Sequence, residues 1–344
     1  MGRTQRVTGI EPAAAIPGGE VRVRLSGVTA GSLKDVEVKF RGANAHLVSV
    51  NTSRALALVP DINTDGPVSV CLVANGAVAP DDGGVQFTVG KKLAHSLHPV
   101  ANPAFDPQDG ALFVTRSGSR GEHVPVSIFR LDRNGGLEDF SSAVINPTSI
   151  AFDRAGRMFV TSRFDGTVYR LTREGEAVAF AADLGIATGL AINREGEMFV
   201  GDRSGTIYRL NQIGESKPWA EHEPSVSAYH LAFGPDDNLY LTGPTVSSFD
   251  SITRFDEQGK ATVFFRGLGR PQGLGFDRDG NLYVAAALRG RRGVVRISAD
   301  ARTAELAVAG MNVVGLAFGP AGEMVVATNE AVYSLPLGVY GLLL

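Results

Sequence analysis

One phrase of about a dozen residues recurs six times along the last three quarters of this chain. Its clearest copies are Ser149-Ile-Ala-Phe-Asp-Arg-Ala-Gly-Arg-Met-Phe-Val160 and Gly273-Leu-Gly-Phe-Asp-Arg-Asp-Gly-Asn-Leu-Tyr-Val284. Anchored on Phe105, Phe152, Ile192, Phe233, Phe276 and Phe318, the steps are 47, 40, 41, 43 and 42 residues. Each unit has room for short alternating strands joined by glycine turns, and a period of about 40–45 residues with four strands per unit is that of β-propeller blades. What recurs in every unit reads as scaffold. What breaks the pattern is a candidate site.

Composition narrows the function classes. With 44% hydrophobic and 20% charged residues the chain reads as globular. The net charge of −3 argues against nucleic acid, whose binders concentrate basic residues on one face. A single cysteine, Cys71, excludes an intrachain disulfide, and its apolar setting (Val68-Ser-Val-Cys-Leu-Val73) points to a buried structural thiol. Neither a secretory leader nor a run of about 18 apolar residues is present, so a cytoplasmic monomer with no membrane contact is expected.

Residues 1–90 lack the repeat. Alternating segments at 20–25, 36–40, 55–59, 68–73 and 85–89, separated by turns such as Pro17-Gly-Gly19 and Asn75-Gly76, predict a small β-sandwich. The segments Val7-Thr-Gly-Ile-Glu-Pro12, Gly66-Pro-Val-Ser-Val70 and Phe87-Thr-Val89, among others, resemble the IPT/TIG immunoglobulin-like domain. The expected fold is therefore all-β: an Ig-like sandwich over 1–90, then a six-bladed propeller over 91–344. Little chain remains for a last strand after Ala331–Pro336, so residues 91–98 are expected to supply that outer strand and close the ring.

The repeated units resemble six-bladed propellers of the NHL-repeat and SMP-30/gluconolactonase kinds. That resemblance covers about residues 95–336 and implies the fold, not the activity. Lactonases of this kind hold a divalent cation (Ca, Mg or Zn) on a glutamate, asparagines and an aspartate at the starts of the inner strands. Here those starts carry Ala101-Asn102, Thr148-Ser149, Thr188-Gly189, Tyr229-His230, Gln272-Gly273 and Val314-Gly315, with no carboxylate. No metal or other cofactor is expected, the cation being a minority alternative.

Departures from the repeat nominate the site. His230 stands where four of the other units have Gly or Ser, and Tyr229 replaces a smaller residue. The pair reads either as a plug in the central channel or as catalytic groups, with His230 a base titrating near neutrality. Arg116, Arg163 and Arg203 follow the second strands of three consecutive units, with Asp165 and Asp202 beside them; an arginine fork suits carboxylate or phosphate. Gln272 completes the candidate ligand-binding set. By contrast Arg130, Arg170, Arg209, Arg254 and Arg296 repeat in the third strands and read as scaffold. Three long loops, 116–125, 242–250 and 288–293, lie on the same predicted face. The readings left open are a binding or scaffold protein for a small anion or a protein partner, an SMP-30-like hydrolase or lyase with a rearranged site, and a purely structural module.

Overall fold

The computed structural model describes residues 5–64, 66–74, 77–78, 85–247 and 249–342; the turn at Asn75-Gly76 lies outside them. The described chain is all-β apart from one 3-10 turn, Ala30–Asp35. None of its helices is long and apolar enough to cross a membrane.

The first three repeats each form a separate four-stranded antiparallel sheet in chain order, whereas the strands of the fourth and fifth are joined in one larger sheet that continues into the N-terminal strands. The inner strands are Ala104–Phe105, Pro147–Phe152, Ala187–Ile192, His230–Phe233, Leu274–Phe276 and Val313–Phe318. Each neighbours the next, and the last neighbours the first. The burial pattern explains the sequence pattern. Second strands such as Met158–Ser162 are buried along their whole length because neighbouring sheets cover both faces. Outer strands such as Leu137–Ser141 are mostly exposed. Apolar clusters fill the gaps between consecutive sheets. The cluster joining the last sheet to the first combines Val325, Ala327 and Val332 with Leu112, Val114 and Phe129. Each Val, Leu or Phe side chain there contributes roughly 1.5–3 kcal/mol on burial.

The turn after each inner strand shows why the phrase contains its glycine. Gly156, Gly196, Gly280 and Gly322 occupy it with φ between 74° and 83°, a region costly for other residues. Asp237 fills the same place in the fourth repeat with φ 59°, as short polar side chains tolerate. Lys91–His95 pairs antiparallel with Ala331–Leu335 and completes the sixth sheet, so chain from before the first repeat forms the outer strand of the last.

Residues preceding the repeats form two facing sheets. One orders Arg6–Glu11, Glu20–Ser26, Arg54–Leu58 and His46–Val50; the other contains Val85–Val89, Pro67–Ala74 and Glu37–Phe40. Val21, Val23, Phe40, Leu72 and Phe87 fill the space between them, with the Phe40 and Phe87 rings edge to face at 5.1 Å. Cys71 is half-buried rather than buried, because the strand alternates and Val70 and Leu72 take the core side. The two-residue strand Ala14–Ala15 pairs in parallel with Val85–Val89 on one side and with Ala309 on the other. Ile16 adds a backbone bond to Ala309 of 2.9 Å. The second N-terminal sheet is thus continuous with the outer strand of the fifth repeat.

Candidate functional site

A belt of hydrogen bonds joins the starts of the inner strands. The hydroxyls of Thr115 and Thr161, each just after a second strand's apolar run, donate to the carbonyls of Thr148 and Thr188 in the following sheet at 3.3 and 3.1 Å. Thr242 does the same to Gln272 at 2.5 Å. Thr188 Oγ1 accepts from the Tyr229 amide at 3.0 Å and donates to Gly201 at 3.2 Å. Asn102 crosses the centre: its amide donates to Leu274 at 2.8 Å and its carbonyl accepts from Leu316 at 3.0 Å. The inner-strand starts therefore lie at one level, and the loops between second and third strands share that end of the ring. Thr188→Val keeps the shape and removes both bonds, leaving the Tyr229 amide without its acceptor. An equilibrium urea unfolding curve should show a loss of about 1–3 kcal/mol.

Tyr229 occupies a place different from either sequence-based reading. Its ring lies between the third and fourth sheets, among Phe199, Ile207, Leu239 and Phe255, rather than along the channel. It packs on Gly201 and Gly243, stacks on His222, and donates its hydroxyl to the Glu223 carbonyl. Burial pushes the phenol up to about 12. His230 is 3% exposed, and its Nε2 has no hydrogen-bond partner in the protein. Desolvation pulls its pKa down to about 4, so the ring is neutral at pH 7 instead of titrating there.

The acidic candidates build turns. Asp165 accepts from the Thr167 amide at 3.1 Å and the Tyr169 hydroxyl at 2.6 Å. Buried Asp202 accepts from the Ile186 and Ser204 amides, both at 2.9 Å. Neither pairs with the arginines beside it. The third-strand arginines, meanwhile, are largely neutralised: Arg130 meets Asp109 and Glu138, Arg209 meets Glu197, Arg254 meets Asp236 and Arg296 meets Glu305.

Arg163 is different. It is half-buried, and among the described residues its guanidinium makes one hydrogen bond, from Nη2 to the Gly118 carbonyl at 3.1 Å. Its buried Nε has no partner. Burial, then the charges of Arg203 and Arg120, push its pKa down. Among the described residues, none of these three arginines forms an ion pair. Two further buried polar atoms, Ser117 Oγ next to Gly118 and Thr148 Oγ1 two residues after Asn146, also lack partners. The loop that faces Arg163 is held by Asn146, whose side chain accepts from the Gly121 amide at 2.7 Å and donates to Gly118 and Ser119 at 3.0 and 2.9 Å. Arg163 and Arg203 are thus brought together, with Arg120 as an unforeseen third member. Arg116 is not among the charges acting on Arg163, and Gln272 lines a separate cavity between the fourth, fifth and sixth repeats. Arg120 was legible only as the second arginine of a long loop. Asn146 gave a signal in its place directly before Pro147, at a turn.

Comparison with known proteins bears on this fold. A putative gluconolactonase of known structure superposes with a TM-score of 0.61 at 17% identity, covering 75% of this chain and 94% of its own. The fold is propeller-like. A gluconolactonase from Xanthomonas campestris gives 0.59 at 17% identity over 73% and 90%. An auxiliary nutrient binding protein from Bacteroides ovatus gives 0.55 at 15% identity, but over 97% of this chain and 98% of its own. The last match therefore extends through the N-terminal sheets as well as the repeats. No family model and no curated protein matches the chain.

The inner-strand starts offer no carboxylate, and among the described residues no group of three or more His, Cys, Asp or Glu side chains is placed to hold a metal ion. The nearest asparagines, Asn102 and Asn146, are committed to the bonds described above.

Proposed function

We propose that the chain is an Ig-like sandwich of the IPT/TIG kind, residues 1–90, carrying a six-bladed propeller, residues 91–344, and that it binds a small carboxylate- or phosphate-bearing molecule on the loop-rich face. One observation carries this reading: the Arg163 guanidinium is half-buried beside Arg203 and Arg120 with a buried, unpartnered Nε and no carboxylate. Burying a cation next to like charges is unfavourable unless something anionic arrives. An anion would satisfy Nε, separate the like charges, and gain the bidentate geometry of a guanidinium fork.

Thermal-shift titration with gluconate and with inorganic phosphate tests the proposal. A dose-dependent rise in melting temperature is expected, lost in Arg163→Ala and reduced in Arg203→Ala. Without ligand, Arg163→Ala should be as stable as the parent or more so, because it removes a desolvated charge. An unchanged ligand response in Arg163→Ala would refute the assignment.

The free Nε2 of His230 favours a second reading, a lactone hydrolase or lyase with a rearranged site. Lactone turnover that disappears in His230→Gln would establish it, and no turnover by the parent would rule it out.

A further inference from the structure

We infer that the cavity between the fourth, fifth and sixth repeats is a second binding site, for an anion that carries a flat apolar body. The cavity measures about 680 Å³, within the range of small-molecule sites. Ala286, Ala287 and Val313 contribute apolar surface, and the Phe249 ring, 63% exposed, stands at its edge against Gly267. Arg270, Arg289 and Arg292 supply the charge. No carboxylate lines the cavity, and among the described residues none of these arginines forms an ion pair. Three unpaired cations around an apolar pocket with an aromatic lip match a ligand with an acidic group at one end and a ring at the other.

Backbone conformation supports a role beyond solvated charge. Three residues before Ser149, Gly273 and Gly315 the chain turns through the left-handed region, at Asn146 (φ 46°), Arg270 (φ 48°) and Asn312 (φ 55°). Asparagine tolerates that region; arginine does so at a cost. The same holds at the hairpin between Leu282–Leu288 and Arg291–Ile297, whose turn residues Arg289 and Gly290 have φ 51° and 81°. Such a turn favours Asn-Gly, and here it holds Arg-Gly. Arg270 and Arg289 both face this cavity, as expected where function holds a strained residue in place; the other arginine with left-handed backbone among the described residues, Arg41 (φ 47°), sits in an N-terminal turn beside Gly42 and does not line it.

The N-terminal sheets brace this wall. Arg291, between the two cavity arginines of the hairpin, donates to the Glu11 carbonyl at 2.6 Å, and the Arg292 carbonyl accepts from Gly310 at 3.0 Å, next to the Ala309 contact. Arg291 is thus a positioning residue, and the sandwich has a structural reason to be attached at the fifth repeat.

Calorimetric titration with phenyl phosphate, inorganic phosphate and phenol tests the site. It is run on the full chain in an Arg163→Ala background, so the first proposed site does not contribute and either proposal can fail alone. Phenyl phosphate should bind at least about tenfold more tightly than either half-molecule. Arg270→Gly and Arg289→Gly remove the guanidinium while accepting the left-handed backbone, so melting temperatures should hold or rise. Each should weaken phenyl phosphate about tenfold. Equal affinity for phosphate and phenyl phosphate, or unchanged affinity in both glycine variants, would overturn the inference.

Discussion

Gly273→Ala should be among the most damaging single-methyl additions in this protein, costing about 3 kcal/mol or more in a urea unfolding curve. A Cβ there would stand 1.9 Å from Asn102 Oδ1, 2.7 Å from Gly315 Cα and 2.9 Å from the Val314 carbonyl. Asn102 can swing away only by abandoning Leu274 and Leu316, the two bonds that tie the first repeat to the fifth and sixth. Two of the three contacts are backbone and cannot rotate aside, so overpacking at this point strains the closure of the ring. Asn102→Ala combined with Gly273→Ala should therefore recover only part of the loss. Gly31→Ala, whose Cβ would meet nothing within 4 Å, serves as the near-neutral control.

The second large effect is acid sensitivity from His230. An unfolded imidazole titrates near 6.5, whereas in the folded protein burial lowers it to about 4. Between those values the unfolded chain takes up a proton that the native ring refuses. The stability contribution is complete above pH 6.5 and is lost as pH falls toward 4. The shift corresponds to about 3 kcal/mol, the conversion being roughly 1.4 kcal/mol per unit. His222, also lowered by burial, acts in the same direction. Urea midpoints measured from pH 7.5 to 4 should fall steeply, and the slope should flatten in His230→Gln. A parent and a His230→Gln variant with parallel pH profiles would show that the imidazole is not desolvated.

Much of the fold was readable because a repeated phrase amplifies a weak signal. One Gly-Leu-Ala-Phe segment says little, but six at a constant spacing specify strand number, turn position and the side chains packed between sheets. Subtraction of the repeat also separated most of the arginines. Arg130, Arg209, Arg254 and Arg296 meet carboxylates, whereas among the described residues Arg170 of the same set forms no ion pair, and neither do Arg163 and Arg203. Less could be read where function depends on depth or on contacts distant in sequence. Tyr229 and His230 break the pattern equally, yet one ring is wedged between two sheets and the other is left with a bare nitrogen. Asp165 and Asp202 joined the candidate ligand-binding set because they stand beside arginines in the sequence, but nearby backbone amides bond to them. The short strand Ala14–Ala15, too brief to show alternation, joins the N-terminal sheets to the fifth repeat.

The most direct test of the anion-binding account is a crystal structure of the full chain soaked in selenate, read by anomalous scattering. A selenium peak is expected roughly 4 Å from Arg163 Nε, which puts a selenate oxygen at hydrogen-bond distance of about 3 Å, between the loops of the first three repeats. Its absence there in well-ordered crystals, with Arg163 Nε bonded instead to a protein carbonyl or carboxylate, would contradict the central claim.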